Sequence, residues 1–492
     1  MSPPCGVLKN NMSLIFLAIA SPCIASCVAL VIKRRVVMEA ATIISSVVVL
    51  VSAVLLAVAV AHDGVYSRSA YFSVDALGAL VIATIAVVGC AAAFYSVAYI
   101  REEAEKKVIG QSRTRQYFIF FNIFVGAMLF ASATTNPILT WIAIEATTLS
   151  TAFLISFYNK PSAMEAAWKY LIINSVGLLL GFFGTLLYFT SVETGGSMPL
   201  VDWNLLFSHA EKLDPVIAKI AFIFVLIGYG TKVGFAPMHT WKPDAYGKAP
   251  TPIAALFSGA LLNVALAAIL RFKAITDSAV GPEFTSQMLI ILGLLSVGVA
   301  AFIMFAQRNY KRLLAYSSIE HAGIMALGFG FGGIGALAAS LHMVYHSLAK
   351  AILFFAAGNI LLQYSSTKIR HVKGALRAIP ATSVLFIFGF LAASGIPPLG
   401  LFLTKAHIAA AGMASHPVAV IVAVLALIVA FVAFLKHTHA MMFGEKPEEI
   451  TVGESSVWLL IPPFALAALF VYLSVYPPAE LYTLVSTIAI LH

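Results

Sequence analysis

The chain has 492 residues, 61% of them hydrophobic and only 10% charged. Soluble domains carry about 25% charged residues, so a water-soluble globular protein is excluded. The net charge of +9 follows the placement of the loops described below and gives no case for nucleic-acid binding.

Charge-free runs at 76–100, 116–144, 170–192, 249–270, 284–307, 378–404 and 455–479 each exceed the roughly 20 residues needed to cross a ~30 Å hydrocarbon core. The expected fold class is an all-α polytopic membrane protein. In chain order about fourteen spans are expected, near 12–32, 39–61, 74–99, 116–134, 137–157, 164–191, 215–236, 249–271, 285–306, 314–331, 335–363, 379–412, 417–440 and 456–476. The longest polar loops are 101–115, 193–214 and 444–454. No soluble domain is expected, and no long amphipathic helix after the last span.

The first run has only Lys9 before it and Lys33-Arg34-Arg35 after it. That order fits an uncleaved span with its N-terminus outside rather than a cleaved signal. Cys5, Cys23, Cys27 and Cys90 form no CxxC pair and read as small apolar filler. No metal, iron–sulfur, haem or dinucleotide signature is visible, so no cofactor is expected on this chain. Loops after odd-numbered spans, with the span ends that adjoin them, hold twenty Lys and Arg residues and the opposite side six. This bias places the odd loops in the cytoplasm and both termini on the outer side of the inner (cytoplasmic) membrane.

Two spans are interrupted beside a lysine. The seventh breaks at Gly234 and Pro237, next to Lys232, and the twelfth at 395–400, next to Lys405. Broken helices at corresponding positions of two halves point to an ion site. A lysine at a helix centre costs ~2.5–3.5 kcal/mol on insertion scales, which marks both as functional candidates. Glu145 lies in an apolar context in the fifth span, and its natural partner is Lys232, since an unpaired carboxylate in hydrocarbon would protonate. A lone histidine would more often be a satisfied core residue. His342, His346 and Lys350, however, recur at i, i+4 and i+8 and form one helical stripe, the pattern of a proton relay. Metal binding by His342 and His346 is disfavoured, because no carboxylate or thiolate joins them. Glu320, His321 and His407 are accessory candidates. Glu165 and Lys169 form an i,i+4 pair at the mouth of the sixth span.

Several motifs together resemble a known family: Glu145 within W-x3-E, TKVGFAPMHTWKPDA around Lys232, PTP at 250–252, H-x3-H-x3-K at 342–350, and GIPPLGLFLTK ending at Lys405. They are similar to the antiporter-like membrane subunits of NADH–quinone oxidoreductase (complex I), of membrane-bound hydrogenases and formate hydrogenlyases (hydrogenase-4 type), and of Mrp-type sodium/proton antiporters. The resemblance covers roughly 115–443. It implies fourteen helices with two inverted five-helix repeats, here 115–272 (spans 4–8) and 273–443 (spans 9–13), after an N-terminal segment 1–114 and before a C-terminal helix within 444–492. It also implies a Glu–Lys pair on the fifth and seventh helices, linked through the eighth and eleventh to the twelfth: Glu145, Lys232, His342, His346, Lys350 and Lys405. The chain departs from the complex I pattern on the eighth helix, where only Ser258 and Asn263 stand in place of a lysine or histidine.

The resemblance implies a proton-translocating subunit driven by redox chemistry on partner subunits, namely other membrane subunits and a peripheral redox module. The alternative is a subunit of an Mrp-type Na⁺/H⁺ antiporter or an inorganic-carbon uptake complex, driven by the ion gradient. A passive membrane anchor would need no intramembrane charges, and these sequence features count against it.

Overall fold

The computed structural model describes residues 14–190 and 202–491. Cys5, Lys9, the start of the first expected span and the 193–201 part of the expected loop lie outside the described residues. The chain order is α1 (Leu14–Val31), α2 (Arg35–Asp63), a small hairpin of β1 (Tyr66–Ser69) and β2 (Phe72–Val74), α3 (Ala76–Glu105), α4 (Gln111–Ala133), α5 (Pro137–Ile155) and α6 (Pro161–Thr190). Then follow α7 (Trp203–Ser208), α8 (Pro215–Val233), α9 (Trp241–Lys248), α10 (Thr251–Leu256), α11 (Leu262–Val280), α12 (Pro282–Phe305), α13 (Tyr310–Phe331) and α14 (Ile334–Tyr364). The last are α15 (Ala375–Ala378), α16 (Pro380–Ser394), α17 (Gly400–Ser415), α18 (Pro417–Met442), α19 (Ile461–Val475) and α20 (Ala479–Leu491). Among the described residues, twelve helical stretches are long and apolar enough to cross a membrane, with α8–α9 and α10–α11 each counted as one. Helix α13 and the α16–α17 pair occupy the positions expected for the tenth and twelfth spans.

Local chemistry sets where the helices begin. Asn136 precedes Pro137 and its Oδ1 accepts from the N–H groups of Ile138 and Leu139, which starts α5. Glu145 therefore lies roughly 12 Å into that helix. Asp214 and Pro215 start α8 in the same way, and Asn309 caps α13. Helices α6 and α8 approach at glycines, and a Cβ on Gly228 would collide with the Gly181 backbone. This small-residue contact brings the C-terminal turn of α8 against the side chains of α6.

The 251–280 stretch is fully buried across its apolar window and α14 is 89% buried, whereas α1, α2, α18 and α19 reach only 33%. The centre of the molecule is therefore α10–α11 and α14, with α3 and α13 packed beside them. Outer helices present apolar faces, such as Trp168, Ile172 and Leu179 of α6, all exposed, as expected for contact with lipid or neighbouring subunits.

Two sequence expectations are corrected, and two short elements are added to the expected spans. Helix α3 continues to Glu105, beyond the expected end at 99, so Glu103 is helical and buried rather than part of a 101–115 loop. The hairpin β1–β2 interrupts an otherwise helical chain. Helix α20 follows the last expected span and packs on α2, α3 and α14. Finally, Lys242, Lys273 and Lys311, assigned to loops by their position between apolar runs, are 0%, 0% and 2% exposed. Local composition identifies an interruption in hydrocarbon, but not whether the interruption folds back into the protein.

Candidate functional site

Lys232 is the penultimate residue of α8 and is 1% exposed. Its Nζ donates to Thr148 Oγ1 of α5 at 2.7 Å and to Tyr170 OH of α6 at 2.8 Å. The ammonium also lies 4.9 Å from the Tyr170 ring centroid, a cation–π contact strengthened by desolvation. Tyr170 OH continues to Thr151 Oγ1 at 2.7 Å. Glu145 is close by on α5, but its Oε1 accepts from Ser175 Oγ at 2.7 Å. Its Oε2 is buried without a hydrogen-bond partner among the described residues. The expected Glu145–Lys232 pair is thus not a direct ion pair. Thr148, one turn beyond Glu145 on the same helix, holds the ammonium instead.

The break after Lys232 is formed by Gly234 in the left-handed region at φ 84°, where a side chain would be strained. A broken helix leaves carbonyls without intrahelical partners. Here Trp241 Nε1 donates to Thr231 O at 2.9 Å and Lys242 Nζ donates to Val233 O at 2.8 Å. The twelfth-span break has the same construction. Gly395 caps α16 at φ 79°, and Lys405 Nζ returns from α17 to Ala393 O at 3.0 Å and Ser394 O at 3.3 Å. A Cβ added at Gly234 would lie 2.7 Å from Lys242 Cδ, and one at Gly395 would lie 3.1 Å from Lys405 Cδ. In the geometry of the breaks, the counterpart of Lys405 is therefore Lys242 and not Lys232. The sequence carried a signal for this: Lys242 follows its glycine by eight residues and Lys405 follows its own by ten. Tertiary folding was needed to show that both side chains turn back.

Lys405 also meets a carboxylate. Glu320 Oε1 of α13 is 3.4 Å from Lys405 Nζ, with both side chains largely buried. The direct Glu–Lys pair of the interior thus lies in the second half and uses a residue that the sequence placed only as accessory. The neighbouring His321 Nδ1 is 2.8 Å from His342 Nε2 of α14, and His342 Nδ1 is 2.8 Å from Thr404 Oγ1, adjacent in sequence to Lys405. The His321 and His346 rings stand 5.0 Å apart between centroids. Both nitrogens of His346 and Nε2 of His321 are buried without hydrogen-bond partners among the described residues. Buried polar atoms of this kind are commonly satisfied by ordered water.

Lys350, one turn beyond His346 on α14, donates to Leu314 O of α13 at 3.2 Å. Ser318 Oγ shares that carbonyl at 2.9 Å and meets Ser258 Oγ at 2.7 Å. Ser258 sits in a π-helical turn, Phe257–Leu261, between α10 and α11. Such turns recur at functional sites because one extra residue re-aims the side chains. Asn263 points elsewhere: Nδ2 donates to Ser347 Oγ of α14 at 2.9 Å, with a longer contact to Thr84 Oγ1. Of the two eighth-helix candidates, only Ser258 is linked, through Ser318, to the carbonyl that Lys350 holds. His407 is exposed on the outer side of α17 and joins none of these groups. At the mouth of α6, Glu165 pairs with Lys169 at 2.5 Å, and Lys169 lies 3.6 Å from Asp244, whose other oxygen is bound by Arg312.

The side chains thus form a buried polar row: Lys232 with its hydroxyls, Lys242 at the first break, Ser258 and Ser318, Lys350, the three histidines, then Lys405 with Glu320. Every member lies within residues 134–430, which match the family described as NADH:quinone oxidoreductase/Mrp antiporter, transmembrane. The chain belongs to that family. A hydrogenase-4 component F homolog from Methylacidiphilum infernorum (isolate V4) is 38% identical over 411 residues, covering 83% of this chain and 86% of that protein. Among solved structures, the fold resembles a chain of the membrane-bound sulfane sulfur reductase, an archaeal respiratory membrane complex, with a TM-score of 0.85, 23% identity and 97% of each chain covered. It also resembles a chain of the Mrp complex from Dietzia sp. DQ12-45-1b, with a TM-score of 0.87, 19% identity and 97% of each chain covered. At these identities the structural likeness is one of fold. Both neighbours are parts of multi-subunit membrane complexes.

Proposed function

We propose that this chain is a proton-translocating, antiporter-like subunit of a complex I-related or membrane-bound hydrogenase complex. In this reading it passes H⁺ along the buried row from Lys232 to Lys405 while partner subunits carry out the redox chemistry. The observation that carries it is the row itself. Buried charges are expensive, and a chain needed only as an anchor gains nothing by threading lysines, histidines and carboxylates between two broken helices. The identity to a hydrogenase-4 component F homolog favours the redox-driven reading over an Mrp-type antiporter, for which the support is likeness of fold.

The mechanism needs no cofactor on this chain. At an effective dielectric of about 20, an ammonium and a carboxylate 4 Å apart attract by ~4 kcal/mol, and by about half of that at twice the distance. A shift of a few ångströms therefore changes an amine's proton affinity by roughly thirtyfold. Glu320 beside Lys405 is placed for such a switch. Glu145 serves Lys232 over a longer path, through the α5 turn that carries Thr148. Lys242 supplies, at the first break, the cation that the eighth helix lacks, and His346 and His321 pass protons by water between Lys350 and His342. In this reading 115–272 and 273–443 are inverted repeats, each with a break, a left-handed glycine and a returning lysine. The Lys- and Arg-rich loops face the cytoplasm across the inner membrane, both termini lie outside, and a peripheral redox module completes the complex.

The test is proton uptake by vesicles containing the purified complex. Lys232→Ala and Glu145→Gln should each abolish most uptake while the subunits still co-purify. Undiminished uptake in both variants sinks the relay. Iron–sulfur or nickel subunits among the co-purifying proteins would support the redox-driven complex, whereas only small membrane subunits would favour the antiporter.

A further inference from the structure

A third acid–base pair lies outside the row and, on the side of its carboxylate, outside the family match. Glu103, near the C-terminal end of α3, is 5% exposed, and Lys311, in the first turn of α13, is 2% exposed. Both line a cavity of about 370 Å³ with Lys106, Tyr158, Lys160 and Lys248 around it. The last two lysines are exposed, so the cavity opens on the basic face of the molecule. At its floor Glu103 Oε1 accepts from Tyr158 OH at 2.6 Å, and Tyr158 OH is 3.3 Å from Tyr99 OH. Glu103 Oε2 is buried with no hydrogen-bond partner among the described residues. Lys311 Nζ donates to Ala249 O at 2.7 Å and makes no ion pair within 4.0 Å among the described residues.

A pair kept for stability would close into a bridge and satisfy both carboxylate oxygens, because a buried unsatisfied oxygen is costly. This pair stays open beneath a polar cavity. The floor also lies close to the relay. Leu314 follows Lys311 by one turn of α13, roughly 4.5 Å along the axis, and Leu314 O is the carbonyl held by Lys350.

We infer that the Glu103–Lys311 basin is a proton-loading site, taking H⁺ from water on the basic face and delivering it through Lys311 to Lys350. A proton from hydronium adds to the Glu103 carboxylate. The resulting acid gives it to the neutral Lys311 amine and is thereby ionised again, and Lys311 passes it to the neutral amine of Lys350 and returns to its own neutral form. Tyr158 holds the carboxylate in place and exchanges no proton with solvent. The inference rests on the proposed relay and adds its inlet.

The experiment uses the intact complex in vesicles. Glu103→Gln keeps an acceptor for Tyr158 but carries no proton, and should lower uptake by about tenfold or more without loss of co-purifying subunits. Glu103→Asp should recover most of the rate, and Lys311→Gln should resemble Glu103→Gln. In a background with Cys5, Cys23, Cys27 and Cys90 replaced, a cationic thiosulfonate attached to Ser162→Cys at the basin wall should block uptake. A carboxyl stretch in the acid-minus-alkaline infrared difference spectrum should vanish in Glu103→Gln, a change that a merely structural carboxylate would not produce. Near-normal uptake in Glu103→Gln, Lys311→Gln and the labelled variant, with Lys232→Ala inactive, overturns the inlet and leaves the relay standing. Full uptake in both Lys232→Ala and Glu145→Gln overturns the relay and the inlet with it.

Discussion

The two broken helices solve one problem with different numbers of lysines. At the α8–α9 break, Lys232 stands before the glycine between the hydroxyls of Thr148 and Tyr170, while Lys242 caps the buried Val233 carbonyl. At the α16–α17 break, Lys405 alone covers the Ala393 and Ser394 carbonyls and also pairs with Glu320. The second half thus joins the structural cap and the titratable group in one side chain, and the first half separates them in part, since Lys232 caps no carbonyl. A cap that donates to a carbonyl favours a fixed ammonium, whereas a relay must release its proton. In the first half the relay can be disturbed at Lys232 without removing a cap, and in the second it cannot.

The largest effect is expected at Lys405. Lys405→Ala leaves Glu320 buried and unpaired, which should cost ~3–5 kcal/mol of stability, and should abolish proton uptake. Lys405→Arg should recover the stability but not the uptake, because guanidinium does not give up its proton. Thermal unfolding of the purified complex, run alongside vesicle uptake, separates the two roles, and full uptake in the Arg variant would contradict a relay role for Lys405.

A smaller loss is expected at Lys242. Lys242→Met strips Val233 O of its donor, at about 1–3 kcal/mol. Lys242→Gln should return most of that stability while uptake stays low. If Gln restores uptake as well, Lys242 is a cap alone, and the division of labour at the first break becomes sharper still.

Tyr170→Phe removes one of the two hydroxyls that hold Lys232 and keeps the ring beneath it. The expected loss is about 1 kcal/mol, with uptake slowed but present. An unchanged rate would place the working partner of Lys232 on Thr148 alone.

The smallest effect belongs to Asp75, the N-cap of α3, which accepts from Arg271 through both oxygens at 2.7 and 2.8 Å. Burial pulls this carboxyl upward, but the Arg271 guanidinium and the Gly78 N–H outweigh it and hold it below its ordinary value of 3.8. A carboxyl lowered by folding stabilises the protein above the unfolded value of ~3.9 and loses that contribution as pH falls through its folded value. The difference in unfolding temperature between the protein and Asp75→Asn should therefore shrink on acidification below about pH 4. A difference independent of pH would show that the pair acts by packing rather than charge.

Much of the fold was legible in the sequence, because hydrocarbon imposes a simple rule on every span. An uncharged run of sufficient length must be helical to satisfy its own backbone. Glycine and proline beside a lysine mark where that rule is locally suspended. Glu145, Lys232, Lys350 and Lys405 could be named for this reason. Charge embedded in apolar sequence is a local property, visible without knowing what lies across the bundle. Lys242, Lys311 and Glu103 were missed because each sits in a polar neighbourhood that reads as a loop, and only packing shows that the segment folds inward.

Partnership belongs to the tertiary structure. The helical stripe of His342, His346 and Lys350 follows from 3.6 residues per turn. That His342 meets His321, that Lys405 meets Glu320 while Lys232 meets Thr148 and Tyr170, and that Ser258 meets Ser318 while Asn263 turns to Ser347 depend on how the helices cross. Sequence by itself determined the membrane class, the two breaks and most of the residues that place charge in the interior. Which of them meet was decided by helix packing, because a hydrogen bond requires about 3 Å and no spacing along the chain specifies a distance between helices.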